Sequence, residues 1–288
     1  LHLGRQTERQ IGLFDVQALA LSQREREVAL DALLAEGAEI VLFDVLTDEH
    51  LQRIGQLLST RAEPGKTLFV AGSSGIEYAL CQYWGVGNSQ LPAGGAAVDH
   101  ALVVSGSCSP VTERQIARAL TKGFAGVAAD TALLVQGGPV AEAETARLVV
   151  ESLKALEAGK SPLVHTALGP ADERIGATAA KLQAMGYDLL DLKLKSGEIF
   201  GRVLGNIVQT IFAGTGLRRA CVAGGDTSTY AARQLRIEAL EMVGPMAPGS
   251  PLCRVSAANG VIDGAEITFK GGQVGRDDFF TSVLKGKP

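Results

Sequence analysis

An α/β fold with mostly parallel sheets in two domains is what this sequence predicts, on three observations. Through residue 84, apolar strand-like runs alternate with stretches of helical spacing, the pattern of parallel strands joined by right-handed helical crossovers. Many of the 35 glycines fall where a strand gives way to a helix, which needs tight turns. Residues 85–97, rich in Gly and Pro and without periodicity, read as a linker. The expected domains are therefore 1–90 and 98–288.

Composition narrows the function classes. A chain of 288 residues, 46% apolar and 20% charged, can bury a substantial core. The net charge of −4 has no basic cluster behind it, which argues against a nucleic-acid partner. No apolar run reaches the roughly 20 residues that span a bilayer, and the cysteine usage favours a reduced, cytoplasmic protein. The four cysteines (Cys81, Cys108, Cys221, Cys253) lie far apart and form no Cys-x-x-Cys pair, which favours reduced thiols over a disulfide or zinc site. Cys221 falls in an apolar run and reads as a small buried hydrophobe.

In order, residues 10–16 read as a strand and 17–36 as one helix ending at Gly37. Residues 38–44 are a nearly continuous apolar strand, 48–59 a helix, and 67–72 another strand. Ser73-Ser74-Gly75 then opens a helix to about Trp84. Past the linker, a strand at 101–104 runs into Ser105-Gly106-Ser107-Cys108-Ser109, with Pro110 early in a helix from 111 to about 122. Strands are expected at 132–135 and 162–166, and helices at 141–158, 171–186 and 198–213. A strand over 217–223 leads into Gly224-Gly225-Asp226-Thr227-Ser228 and a helix through Leu235. After the Pro-rich residues 245–251 come short strands, including 265–269. These make the second sheet a mixed one and end at Lys270-Gly271-Gly272-Gln273-Val274-Gly275, before a final helix opening at Asp277-Asp278-Phe279-Phe280.

Three turns thus follow strands, and in an open parallel sheet ligands bind at the carboxyl ends of strands. One glycine turn alone is weak evidence, because tight geometry explains it. Three that converge suggest a polyanion, with backbone N–H groups and helix dipoles as donors. Ser105 and Ser107 add hydroxyls, Asp226 and Thr227 an acid and a hydroxyl, and Lys270 a positive charge. None fits the Walker P-loop or the Gly-x-Gly-x-x-Gly dinucleotide fingerprint. Elsewhere, His165 reads as a strand-end or core histidine, Asp44 as a strand-end acid facing a crevice or capping the next helix, and Lys193 and Lys195 as a solvated face. No Ser/His/Asp order or metal-ligand cluster stands out.

Four ordered motifs carry a resemblance: Val-Ser-Gly-Ser-Cys-Ser-Pro-Val-Thr-x-x-Gln at 104–115, Val-Ala-Gly-Gly-Asp-Thr-Ser at 222–228, Ala-Pro-Gly-Ser-Pro-Leu at 247–252, and Lys-Gly-Gly-Gln-Val-Gly-x-x-Asp-Phe-Phe at 270–280. From about residue 98 onward the chain resembles the four-carbon acid sugar kinase family, which phosphorylates threonate, erythronate and 3-oxo-tetronate. More loosely, Gln6-Thr7 and the turn at 70–75 resemble the later part of that family's sugar-binding domain. The resemblance implies an ATP site, with Mg²⁺ accompanying the nucleotide, built from Ser105, Gly106, Ser107, Gly224, Gly225, Asp226, Thr227, Lys270, Gly271, Gly272 and Gly275. It implies a sugar acid as the other substrate and leaves a homo-oligomer open. Asp226 is a weak candidate for the catalytic base. The family's Asp-Asp-x-Thr-Gly and Lys-x-Asp-Ser-Thr-x-Arg-Gly signatures are missing from these 288 residues, and the chain opens on Leu1. The expectation is therefore a first domain truncated at its front, with the base in the portion it lacks. A non-catalytic nucleotide-binding module and a ribokinase-like kinase with Asp226 as base are the alternatives.

Overall fold

The structure, a computed structural model, describes the chain except residues 1, 2, 6, 73 and 87–90 and the side chains of 5, 189–191 and 193. Gln6, Ser73, the middle of the linker and the Lys193 side chain therefore lie outside the described residues. The chain divides into two compact units, Leu1–Gln90 and Leu91–Pro288.

In the first unit, β1 (Ile11–Phe14) pairs in parallel with β2 (Ile40–Phe43). The single helix expected between them is two, α1 (Val16–Ala20) and α2 (Gln23–Ala35). The break has a local cause. Ser22 caps α2, and Glu25 reaches back to the Ser22 N–H, a capping box that starts a new helix in mid-pattern. After β2 come α3 (Asp48–Arg61) and α4 (Gly75–Trp84). Phe14, Leu19, Leu30, Ile54, Leu57 and Ala79 form this unit's core. The strand expected at 67–72 does not form. Those residues pair with no described strand, and Phe69 is 87% exposed. An apolar run alone cannot supply a neighbour for its backbone groups.

The second unit holds β3 (Leu102–Ser105), α5 (Pro110–Leu120), β4 (Phe124–Ala128), α6 (Thr131–Leu134), α7 (Gly138–Glu157), β5 (Ser161–His165), α8 (Glu173–Ala184), α9 (Leu189–Gly214), β6 (Arg219–Ala223), α10 (Gly225–Gln234), β7 (Ile237–Ala247), β8 (Ser250–Ala257), β9 (Glu266–Lys270) and α11 (Phe279–Lys285). Two expectations fail here for related reasons. The strand lies at 124–128, where Gly126 dilutes the apolar signal. Residues 132–135, expected as a strand, fall instead in the helical turn α6 and its C-cap Val135, because the Asp130 side chain accepts from the Leu133 N–H. The Pro-rich stretch at 245–251 is the tip of a hairpin. Pro245 is tolerated because β7 is an edge strand with irregular register, and Gly249 turns the corner at φ +73°.

The resulting sheet runs β4-β5-β3-β6-β9-β8-β7, parallel from β4 to β9 and antiparallel in β8 and β7. Both faces are covered, as a parallel sheet requires. One side packs Val104, Val164 and Val222 against Leu204, Ile207, Val208 and Ile211 of α9. The other packs Val103, Cys221 and Ala223 against Ile116, Phe279, Phe280 and Val283. Cys221 is fully buried, and burial pushes its thiol up to about 12.

Candidate functional site

Sheet order decides what the three turns can do together. β3, β6 and β9 are adjacent and parallel, with Ser105 in register with Ala223 and Ala223 with Lys270. The turns that follow them therefore leave one edge side by side. Backbone bonds carry this alignment past the strand ends: the Gly106 N–H donates to the Ala223 carbonyl at 2.9 Å, and the Gly224 N–H to the Lys270 carbonyl at 2.8 Å.

The turns also touch. A Cβ on Gly106 would lie 2.1 Å from Thr227 Oγ1, and one on Gly272 would lie 2.8 Å from Ser107 Oγ. Neither position has room for a side chain. Gly224 adopts φ +122°, a backbone that L side chains rarely take, and ends β6 in the sharp bend that begins α10.

What these turns offer is mainly backbone. Gly224 is the N-cap of α10 and has no side chain to close it, so the N–H groups of Gly225, Asp226 and Thr227 have no intrahelical acceptor. With the helix dipole they present positive potential at the crevice. Thr227 is buried, whereas Gly225 and Asp226 are exposed. Asp226 has no hydrogen bond or ion pair among the described residues. Ser105 and Ser107 are buried and shape the first turn: Ser105 Oγ accepts from the Ser107 N–H, and Ser107 Oγ from the Ser109 N–H.

Lys270 is fully buried. Its Nζ donates to Thr112 Oγ1 at 3.0 Å and to the Gly271 and Gly272 carbonyls at 2.9 and 3.3 Å. Burial lowers its pKa to about 8. With its donors occupied, the ammonium acts on the crevice through its field and by tying the first and third turns together.

Several residues that build this edge were not among the expected site residues, although Thr112 falls within the motif at 104–115. Thr112 on α5 sits between turns, its Oγ1 3.0 Å from Ser107 Oγ and 2.9 Å from the Gly272 carbonyl oxygen. On α9, Gly197, Gly201 and Gly205 recur every fourth residue, forming a groove for α10. A Cβ on Gly201 would lie 2.4 Å from Tyr230 Cβ, and one on Gly205 2.9 Å from Gln234 Cβ. The groove seats α10 so that its first turn meets the Gly106 bend. A glycine at every fourth helical position was the available signal.

The other polar candidates take their structural readings. His165 is buried at the end of β5, beside Ser105, with Nδ1 3.1 Å from Arg174 Nη2. Burial first, and then the Arg174 charge, push its pKa down to about 4, so the ring is neutral at pH 7. Asp172 fixes that guanidinium, and its own carboxyl is held well below the usual range by the hydrogen bond. Asp44 is exposed and caps nothing; Thr47 caps α3. Lys195 lies on α9 and pairs with Glu198 at 3.2 Å.

The residues present fit a polyphosphate: uncapped N–H groups at α10, glycines where a Cβ would strike the neighbouring turn, and a buried cation beneath. Among the described residues no group of three His, Cys, Asp or Glu side chains is placed to hold a metal. Among them, too, no helix is long and apolar enough to cross a membrane.

Comparison with known proteins places the chain in a family. A nucleotide-binding C-terminal domain family matches residues 102–280, and a sugar-binding N-terminal domain family matches residues 1–80. The chain is 37% identical to a 3-oxo-isoapionate kinase of Paraburkholderia graminis, over 100% of this chain and 60% of that protein. It is 26% identical to a 3-oxo-tetronate kinase of Cupriavidus necator, over 98% and 60%. The chain thus spans about three fifths of the length of the curated relatives it matches. Among solved structures, a Salmonella typhimurium LT2 protein superposes with a TM-score of 0.62 at 24% identity, covering 94% of this chain and 58% of that one. Haemophilus influenzae protein HI1011 gives 0.55 at 17%, covering 98% and 61%. These two show the shared fold.

Proposed function

This chain belongs to the four-carbon acid sugar kinase family, and on that premise we propose that it serves ATP-dependent phosphorylation of a hydroxyl on a sugar acid. The substrate class is that of threonate, erythronate and 3-oxo-tetronate, and the 3-oxo acids in the relatives' names favour a 3-oxo member. The observation that carries the reading is the convergence of the turns after β3, β6 and β9 on one sheet edge, with uncapped donors and a buried cation.

ATP would supply the phosphoryl group, and Mg²⁺ accompanying it would ease the charge on the phosphates. The chain's own part is positioning and electrostatics. The N–H groups of Gly225, Asp226 and Thr227 hold phosphate oxygens, and the first turn sets the floor of the crevice. Lys270 keeps the Gly271–Gly272 turn against Thr112 and adds positive potential from below. As the substrate hydroxyl oxygen bonds to the γ-phosphorus, the bond from that phosphorus to the β–γ bridging oxygen breaks and ADP leaves, while a base must take the hydroxyl proton.

Asp226 favours a second reading of that step. Its carboxylate is exposed at the first turn of α10 without a protein partner among the described residues, and such a carboxylate is free to accept a proton. Asp226→Asn separates the roles. A near-total loss of turnover with ATP affinity kept makes Asp226 the base; a modest loss leaves it as part of the turn.

The parent reading is tested by a coupled ADP-release assay with threonate, erythronate and 3-oxo-tetronate, alongside calorimetric titration of ATP and ADP. Acid-dependent ADP release supports it. ATP binding without release with any acid reduces the chain to a binding module, and no binding above background sinks both readings.

A further inference from the structure

Gln115 lies on α5, fully buried, six residues past Ser109 of the first turn at 105–109 and beneath the third turn. Its Nε2 is 3.0, 3.1 and 2.9 Å from the carbonyl oxygens of Val274, Gly275 and Arg276. Successive carbonyls of an extended chain alternate in direction. Here Gly275 at φ +87° curls the chain so that three in a row face one amide. The amide has one workable orientation, because turned over it would set Oε1 against the three carbonyl oxygens. As it stands, Oε1 is buried with no partner among the described residues.

The clamp has a consequence on its far side. In a planar trans peptide the N–H of the next residue points opposite the carbonyl, and the structure contains no cis peptide. The N–H groups of Gly275, Arg276 and Asp277 therefore face away from Gln115. None of them donates to a protein acceptor among the described residues. Successive N–H groups turned to one side form a concavity suited to an anion. The two carboxylates alongside are offset by arginines, Asp277 by Arg114 at 3.0 Å and Asp278 by Arg276 at 3.5 Å.

We propose that Gln115 is a positioning residue of the nucleotide site: by drawing the carbonyls of 274–276 inward it turns the three N–H groups outward as donors to an anionic phosphate oxygen. This rests on the nucleotide reading above and adds a residue and a donor set to it.

Two measurements test it on the full chain, with ATP as the probe. Amide ¹⁵N–¹H spectra of the wild type are recorded with and without ATP, and calorimetry compares wild type with Gln115→Met, which keeps the volume and removes the donors. The amides of Gly275, Arg276 and Asp277 should shift on binding. Gln115→Met should bind ATP at least about tenfold more weakly, the loss expected when hydrogen bonds to a charged group are disordered. Its affinity for the sugar acid should stay within about twofold, a split that a general loss of stability would not give. Wild type that binds ATP with the three amides unmoved, or a Gln115→Met that binds as well as wild type, overturns the proposal and leaves the nucleotide reading intact. No ATP binding by the wild type overturns that reading itself. Should Gln115→Met fail to fold, the wild-type spectra decide alone.

Discussion

Gly106→Ala should damage the site through one clash, and the structure says which residue relieves it. The new Cβ would stand 2.1 Å from Thr227 Oγ1, 2.9 Å from its Cγ2 and 3.0 Å from its Cβ. Gly106 is not among the positive-φ glycines, so the cost is steric. Overpacking of this kind costs about 1–3 kcal/mol. Thr227→Ala alone removes a buried methyl and hydroxyl and should cost about 0.5–1.5 kcal/mol, by analogy with deleting one buried methyl. In the double variant the atoms at 2.1 and 2.9 Å are gone and the closest remaining approach is 3.0 Å. The double should therefore be less destabilised than the sum of the singles by about 1–2 kcal/mol, within the range for residues in contact. Denaturant unfolding of the four proteins in the cycle measures this, and parallel ATP titrations should show the double recovering affinity lost by Gly106→Ala. Additivity within about 0.5 kcal/mol would mean that the first and second turns do not touch, and would refute the reasoning.

Three further outcomes follow from the same geometry. Lys270 has a folded pKa of about 8, below its ordinary 10.5, so the unfolded chain holds more protons between those values and stability from this group should rise with pH across that window. Lys270→Met should flatten that rise in denaturant midpoints recorded from pH 7.5 to 10, and an unchanged slope would place the ammonium in water instead. His165, pushed to about 4, should show no imidazole titration between pH 5 and 8 by NMR; a midpoint near 6.5 would contradict its burial against Arg174. Gly201→Ala and Gly176→Ala, both in helices, should move stability in opposite directions. The first drives a Cβ into Tyr230 and should lower the thermal midpoint. The second meets nothing within 4 Å at an exposed position of α8 and should gain about 0.5–1 kcal/mol of helix propensity.

Much of the candidate site was legible because it is built mainly from backbone. Glycines after apolar runs signal turns that side chains would obstruct, and Gly224 and Gly106 are needed for those reasons. The order of the strands was not legible, since nothing local to residues 101–105, 219–223 or 266–270 says that they lie side by side. Lys270 reads in sequence as a charge for a ligand, yet its place in β9 turns the ammonium inward to Thr112. Local capping outweighed hydrophobic pattern at Ser22 and Asp130, which is why one helix became two and one expected strand became a helical turn. Residues 67–72 failed for the opposite reason: the pattern was present and the partner strand was not.

The central claim is that the turns after β3, β6 and β9 form a single phosphate-binding edge. Backbone hydrogen–deuterium exchange with and without saturating ATP and Mg²⁺ tests it most directly, because the proposed ligands are mostly N–H groups. The account predicts ATP-dependent protection in 105–109, 224–228 and 271–277 together, with the amino ends of the same strands unchanged. Protection confined to one turn, or found at the opposite edge of the sheet around Arg218 and Arg254, would contradict it.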